Sequence, residues 1–488
     1  MVQITAQPLA PVALNDCRLP VSRSLAPAPT TPAVLTVAPP DDAPAPARRR
    51  LAALRPHPAL RTLPLDAEHV AAFVPSVSQV AVLNRAAQAL LAALPLSDAA
   101  QAEEALGAIA ALDRLGLLAD TADAAPQPPA PHPVLSAWLH VTNQCNLRCT
   151  YCYIAKDHTA MDEPTALAAV EAVFRAAAAN GYREVALKYA GGEPLLALDT
   201  VAKMHRRARE LAAAAGIALQ ASVLSNGVSV DERAVAALRA LGLGLTISLD
   251  GPAPANDAQR PTLGGGPSAL RAMRGIATAI AGGLSPAVAV TVTGASAAGL
   301  PELAGWLLER GVPFTVSLAR DGACGGDRAA LLRDEEQIVA GLRALYAQVE
   351  RNPPPWSVLG ALLDRTDLSQ PHSHACAAGE HYLVIDQHGN VAKCQMTIRE
   401  AVSSVRAADP LLELRLSPAG LRNLPVDERE GCASCEWRYW CGGGCPIATF
   451  RATGRFDVKS PNCNIYKALY PDLIRLEGRR LLALAGVS

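Results

Sequence analysis

Three cysteines stand close together in the run Cys145-Asn146-Leu147-Arg148-Cys149-Thr150-Tyr151-Cys152, spaced C-x3-C-x2-C. Thiolates at this spacing can hold three irons of a [4Fe–4S] cube and leave the fourth iron without a protein ligand. An open iron is useful only where a substrate or cofactor binds to it. Zinc is the competing reading, although structural zinc takes a closed shell of ligands and only three are offered here. Seven more cysteines follow downstream: Cys376, Cys394, Cys432, Cys435, Cys441, Cys445 and Cys463, the last five spaced C-x2-C-x5-C-x3-C-x17-C. Taken alone, the last four of these would also suit a pair of zinc ribbons. Ten of the twelve cysteines therefore fall into spaced groups, and Cys17 and Cys324 stand apart. The N-terminus lacks a charged region followed by an apolar block and a small-residue cleavage site. In a reducing cytoplasm, grouped cysteines are more often metal ligands than disulfides. A cytoplasmic metalloprotein is expected.

The elements that must position these residues follow from periodicity. Between residues 133 and 320, short apolar runs at 137–141, 184–190, 218–225, 245–250, 288–292 and 312–318 alternate with Ala-rich helical stretches such as 164–179 and 201–214. Strand and helix in alternation predict an α/β fold with a parallel sheet and right-handed crossovers. Six such units fit a partial (β/α)6 barrel rather than a closed TIM barrel, with reactive groups at the C-terminal strand ends. The cysteine triplet directly follows the first of these strands. A helical bridge is expected at 321–375 and a C-terminal helix at 467–488.

Ahead of the barrel, residues 1–60 are rich in Ala and Pro and read as a flexible tail, with Arg48, Arg49 and Arg50 as a solvated run. Residues 65–120 predict short strands over 69–82, then helices running to 94 and over 102–112, together a small winged-helix-like domain. A proline-rich linker at 124–133 closes it. The chain has 488 residues, enough for two or three domains. Lys and Arg total 44 against 45 for Asp and Glu, and aromatic content is 4%. Neither a basic excess nor a base-stacking surface points to nucleic acid. No run of about eighteen apolar residues suggests a membrane span.

Further motifs sit at the ends of the predicted strands. Gly191-Gly192-Glu193-Pro194 follows the second, Ser225-Asn226-Gly227 the third, and Ser248-Leu249-Asp250-Gly251-Pro252 the fourth, with Asn256, Asp257 and Arg260 beyond. With the cysteine triplet, these resemble the motifs of the radical S-adenosylmethionine (SAM) superfamily. The resemblance implies a [4Fe–4S] cluster on Cys145, Cys149 and Cys152, with Tyr151 at the usual aromatic position. The open iron would hold the amino and carboxylate groups of SAM, and one electron from an external reductant would cleave it to a 5′-deoxyadenosyl radical. Gly191, Gly192, Glu193 and Pro194 would lie beside the methionine moiety, with Glu193 accepting from its ammonium. Ser225 and Asn226 would lie near the ribose. Ser248, Asp250 and Arg260 complete the expected cofactor contacts, Arg260 being suited to pair with the SAM carboxylate. A histidine is usual in the family where Asn256 stands.

The downstream cysteines resemble the SPASM domain, placed at 376–466, which implies two auxiliary [4Fe–4S] clusters. By that resemblance Cys432, Cys435, Cys441 and Cys463 hold one. Cys376, Cys394 and Cys445 hold the other, whose fourth position is open or filled by His372, His374 or Cys324. SPASM enzymes act mostly on peptides and proteins. Sulfatase-maturing members carry an aspartate after the second of these cysteines, where this chain has Gln395, so formylglycine formation is disfavoured. The domain at 65–120 resembles those that bind a leader peptide as an added strand. The expected function is a radical SAM peptide maturase that installs a thioether or carbon–carbon crosslink in a ribosomally made precursor. A formylglycine-type enzyme and an enzyme of a small metabolite are the alternatives.

Overall fold

The computed structural model describes residues 2–6, 33–36, 50–51, 53–75, 80–97, 99–120, 134–320 and 334–487. The first seven strands are β1 (Gln3–Ala6), β2 (Ala33–Thr36), β3 (Arg55–Pro56), β4 (Arg61–Pro64), β5 (His69–Phe73), β6 (Ala81–Asn84) and β7 (Leu118–Ala119). Five of them form a sheet in the order β2-β1-β6-β5-β4, and β3 pairs with β7. Asn84 ends β6 and caps helix α1 (Arg85–Ala93), its side chain accepting from the Ala87 amide at 2.9 Å. That capping oxygen satisfies one of the amides a helix start leaves free. Helix α2 (Ala99–Arg114) follows, and Ile109 and Leu112 pack with Ile4, Leu54 and Leu83 in one apolar core.

Two expectations change here. Residues 3–6 and 33–36 lie within the stretch read as a flexible tail, yet they are strands of this sheet, and Ile4 is fully buried. Among the described residues the small domain therefore includes a five-stranded sheet, the β3–β7 pair and helices α1 and α2, and reaches beyond the unit expected at 65–120. Arg50 is also more than solvated: it meets Asp113 at 2.8 Å and Asp120 at 3.2 Å. Residues 53–60 of that stretch are described too and carry β3, whereas Cys17, Arg48, Arg49 and the linker at 124–133 lie outside the described residues.

The barrel runs β8 (Val134–His140), α3 (Glu163–Ala179), β9 (Glu184–Ala190), α4 (Leu198–Ala215), β10 (Ala218–Ser225), α5 (Glu232–Leu241), β11 (Gly244–Ser248), α6 (Ala253–Gln259), α7 (Ala269–Ala281), β12 (Ala287–Val292), α8 (Leu300–Leu308) and β13 (Phe314–Leu318). Each strand pairs in parallel with the next, as the alternation of elements predicts. Side chains alternate across the sheet. Leu135, Ala137 and Leu139 of β8 join the large apolar core that includes Ala166, Val170 and Val173 of α3, whereas Trp138 packs on the other side with Tyr382 and Val384.

The parallel sheet does not end at β8. Strand β14 (Tyr382–Ile385) pairs in parallel with it, Tyr382 opposite Ser136, and β15 (Asn390–Ala392) and β16 (Ser403–Ser404) continue antiparallel to give nine strands. The cysteine-rich region is thus hydrogen-bonded to the same strand that launches the cysteine triplet. The expected bridge holds one helix, α9 (Glu335–Arg351), and is otherwise irregular up to β14 among the described residues. Residues 321–333, with Cys324, lie outside them. The last helix, α10 (Cys463–Leu484), begins four residues earlier than expected, so Cys463 stands at its first turn. No helix among the described residues is long and apolar enough to cross a membrane.

Candidate functional site

The cysteine triplet occupies the loop after β8 and is strapped to the loop after α6. The Arg148 amide donates to Pro261 O at 2.8 Å and the Thr150 amide to Gln259 O at 2.9 Å. Cys145, Cys149 and Cys152 are partly exposed thiols that no disulfide joins. Burial pushes the Cys149 thiol up to about 11, the Arg260 guanidinium opposing the rise and the thiols of Cys152 and Cys145 adding to it. A bound metal would have to supply the deprotonation. Among the described residues no three Cys, His, Asp or Glu side chains converge as a single-ion site would require.

The glycines after β9 let two loops touch. A Cβ at Gly191 would stand 2.4 Å from Thr142 O, and one at Gly192 only 2.1 Å from Gln144 O. The Gly192 amide donates to Thr142 O and the Glu193 amide to Gln144 O. Any side chain here would push away the loop that carries Cys145. Pro194, itself buried, opens the short turn that follows.

Glu193 is fully buried and its carboxylate is occupied by the protein. It accepts from the Leu195 amide at 3.1 Å, the Ser225 hydroxyl at 2.9 Å and the Asn226 amide at 2.7 Å. Burial raises its pKa, and these three donors oppose the rise. Through these bonds Glu193 ties the end of β9 to the end of β10, and a carboxylate with about four acceptor sites keeps room for one more donor. Asn226 passes the tie onward, donating to Asn146 Oδ1 at 2.7 Å and reaching Cys145 Sγ at 3.7 Å.

Tyr151, Asp250 and Arg260 meet in a second buried group. The Tyr151 hydroxyl donates to Asp250 Oδ2 at 2.5 Å and receives from Arg260 Nη1, which also lies 3.3 Å from the same carboxylate oxygen. Gln259 Nε2 adds a bond to Asp250 at 3.2 Å, and the Thr291 amide takes Oδ1 at 2.9 Å. Arg260 is thus engaged internally through one nitrogen, while its buried Nε has no hydrogen-bond partner. Asn256 is buried too: it accepts from the Asp250 amide at 3.1 Å and donates to Ser268 Oγ at 3.0 Å. Sequence reasoning left that position without a role, and here it braces the Asp250 turn. Ser248 ends β11, opposite Ala289.

Downstream, the structure gathers the cysteines into two sets. Cys376, Cys394 and Cys445 line one partly open pocket, with Arg320, Arg365, Tyr382 and Gln395 in its wall. His372 and His374 are not among its lining residues. Arg365 is held in the left-handed region at φ 52°, a conformation that costs a non-glycine residue energy. Gln395 accepts from the Tyr382 hydroxyl at 3.2 Å. In the second set, burial pushes the Cys432 thiol up to about 11, with Cys441, Cys463 and Cys435 contributing as neighbours. Tyr470 is an electrostatic neighbour of Cys441.

Residues 139–298 match the family described as the radical SAM superfamily. An uncharacterised protein of Methanocaldococcus jannaschii is 29% identical over 175 residues, and the chain spans 58% of its length. The pre-heme d1 synthase of Dinoroseobacter shibae is 27% identical over 69% of this chain and 87% of its own. The serine-type anaerobic sulfatase-maturating enzyme of Klebsiella aerogenes is 24% identical over 68% of this chain and 82% of its own. A solved structure described as native anSMEcpe with bound AdoMet and Cp18Cys peptide superposes with a TM-score of 0.56 at 19% identity, covering 71% of this chain and 99% of that one. That likeness is one of fold. Residues 139–298, which carry the cysteine triplet after β8 and the motifs after β9, β10 and β11, thus form a radical SAM domain.

Proposed function

We propose that the chain is a peptide maturase that installs a thioether or carbon–carbon crosslink in a ribosomally made precursor, drawing on three [4Fe–4S] clusters. The observation that carries this reading is the second cysteine-rich site: a three-cysteine pocket built on strands continuous with the barrel. A barrel that only generated a radical would not need it. SAM on the open iron of the first cluster supplies, after one-electron reduction by an external donor, a carbon radical that abstracts hydrogen. The protein's own part is to hold and orient. Cys145, Cys149 and Cys152 ligate, Gly191 and Gly192 allow close approach, and the free Arg260 Nε offers a charge-assisted bond to a carboxylate. Glu193, Ser225 and Asn226 fix the loop that carries Cys145. Cys432, Cys435, Cys441 and Cys463 complete one auxiliary site. Cys376, Cys394 and Cys445 leave one iron of the other for a substrate thiolate or for electron removal. Balance requires that each crosslink release two hydrogens: one as an atom, one as a proton with its electron passed on.

The test is anaerobic reconstitution, which should give about twelve irons per chain by cluster stoichiometry, followed by incubation with SAM, dithionite and the short peptide encoded nearest to this chain. The peptide should lose the mass of two hydrogens per crosslink. Replacing Cys145, Cys149 and Cys152 with Ala should abolish 5′-deoxyadenosine formation and leave the auxiliary iron. A zinc-loaded protein with little iron would sink the proposal. A second reading, chemistry on a small metabolite, is favoured by the likeness to pre-heme d1 synthase. SAM cleavage that no peptide stimulates would favour it.

A further inference from the structure

Arg429 is 1% exposed, and every hydrogen bond it makes goes to a neutral oxygen. Nε donates to Leu424 O at 3.0 Å, Nη1 to Gly443 O at 3.1 Å and Gly444 O at 3.3 Å, and Nη2 to Asn423 Oδ1 at 3.4 Å. No carboxylate is among its partners. A buried guanidinium that lacks a counter-charge is expensive, because desolvation removes far more than carbonyl dipoles return. Other deeply buried arginines of this chain do have an acid beside them: Arg480 meets Glu477 at 2.7 Å and Arg260 meets Asp250 at 3.3 Å.

What surrounds Arg429 is the two cysteine sets. The carbonyls it holds belong to Gly443 and Gly444, in the loop that joins Cys441 of the four-cysteine set to Cys445 of the three-cysteine set. Its own carbonyl accepts from the Cys432 amide at 3.0 Å. Its partner Asn423 donates to Cys376 O at 2.8 Å. The thiols of Cys376, Cys432, Cys441 and Cys445 all act on it electrostatically. The glycine loop is shaped to this side chain: Gly443 lies at φ +80°, and a Cβ there would stand 2.7 Å from Arg429 Cδ.

We propose that Arg429 is the shared counter-charge of the two auxiliary cluster sites, a positioning residue whose guanidinium is balanced only when both cysteine sets carry the negative charge of bound iron–sulfur clusters. This rests on the reading above that those sets hold clusters. In the iron-free chain the cation is buried among neutral oxygens and destabilises the fold. In the loaded chain it favours the reduced form of both clusters, since adding an electron brings negative charge closer to it.

The experiment compares wild type with Arg429→Met and Arg429→Lys, each full length with Cys145, Cys149 and Cys152 changed to Ala so that only auxiliary signals remain. Iron content, EPR-monitored redox titration, and thermal unfolding with and without iron are measured. Arg429→Met should shift the one-electron equilibrium of both clusters toward the oxidised form by about tenfold, about 59 mV. It should raise the Tm of the iron-free chain and lower that of the loaded one. Arg429→Lys keeps the charge and should leave the potentials near wild type. Equal loss of Tm in both states, or unmoved potentials in Arg429→Met, overturns the proposal. Should Arg429→Met hold no iron, Arg429→Lys decides: iron retained at wild-type potentials supports a role for charge, and iron lost from both variants makes the side chain mere filling. Auxiliary iron missing from the wild-type comparison protein would instead overturn the cluster assignment beneath.

Discussion

At the scale of single residues, the chemistry-bearing positions were legible because their spacing is fixed by what they must hold. Their supports were not. Glu193 stands out in sequence, but the protein donors that hold it, Leu195, Ser225 and Asn226, do not. Which residue faces it across the sheet depends on strand register, which a single sequence does not carry. Asn256 is the clearer case, since its partners Asp250 and Ser268 flank it on both sides of a helix and a loop. These bonds rank the cost of two substitutions. Asp250→Asn leaves Arg260 buried without its carboxylate and should cost about 3–5 kcal/mol. Asn256→Ala leaves the Asp250 amide without its acceptor, while the Ser268 hydroxyl keeps its bond to Arg260 O at 2.6 Å, and should cost about 1–3 kcal/mol. Urea unfolding of both variants checks the order, and a reversal would mean that the Asp250–Arg260 pair is not the anchor of this turn.

At the scale of elements, the six barrel strands emerged from apolar runs that helices separate, because burial on both faces leaves so plain a pattern. Strand β1 did not, being four residues long beside a proline-rich stretch, and its place in the sheet is decided by distant β6. Strand β14 likewise reveals its partner only in the folded chain. The contact between the N-terminal sheet and the cysteine-rich region was equally hidden. Phe73 of β5 is 1% exposed and stacks on Trp437 at 5.9 Å and Trp440 at 5.5 Å, both between Cys435 and Cys441. Phe73→Ala removes a large ring from the middle of this junction and should cost about 3–5 kcal/mol. Limited proteolysis should then cut the chain ahead of β8 faster than in wild type. An unchanged cleavage pattern together with an unchanged unfolding midpoint would mean that the two regions do not depend on each other.

At the scale of the whole molecule, one continuous sheet and one long helix bind the parts together, and α10 packs against both α9 and the N-terminal sheet. Loss of stability in one region should therefore be felt throughout, and acid offers a way to apply it. Burial pushes His140, His205 and His374 each down to about 4. An unfolded histidine titrates near 6.5, so between about pH 6.5 and 4 the unfolded chain binds protons that the folded one refuses. Stability should accordingly rise with pH across that window and be lost as pH falls through it. His205 is the cleanest reporter, since it lies on α4 away from the cysteines, its ring bonded to Leu241 O at 3.2 Å and close to the Tyr189 hydroxyl at 3.3 Å. A ring that is neutral and 3% exposed contributes roughly 3 kcal/mol of pH dependence at full effect. His205→Gln removes that contribution, so its Tm should fall less steeply than that of wild type between pH 6.5 and 4. Curves that run parallel through the window would place the acid sensitivity elsewhere, in the other buried histidines or in the cysteine sets.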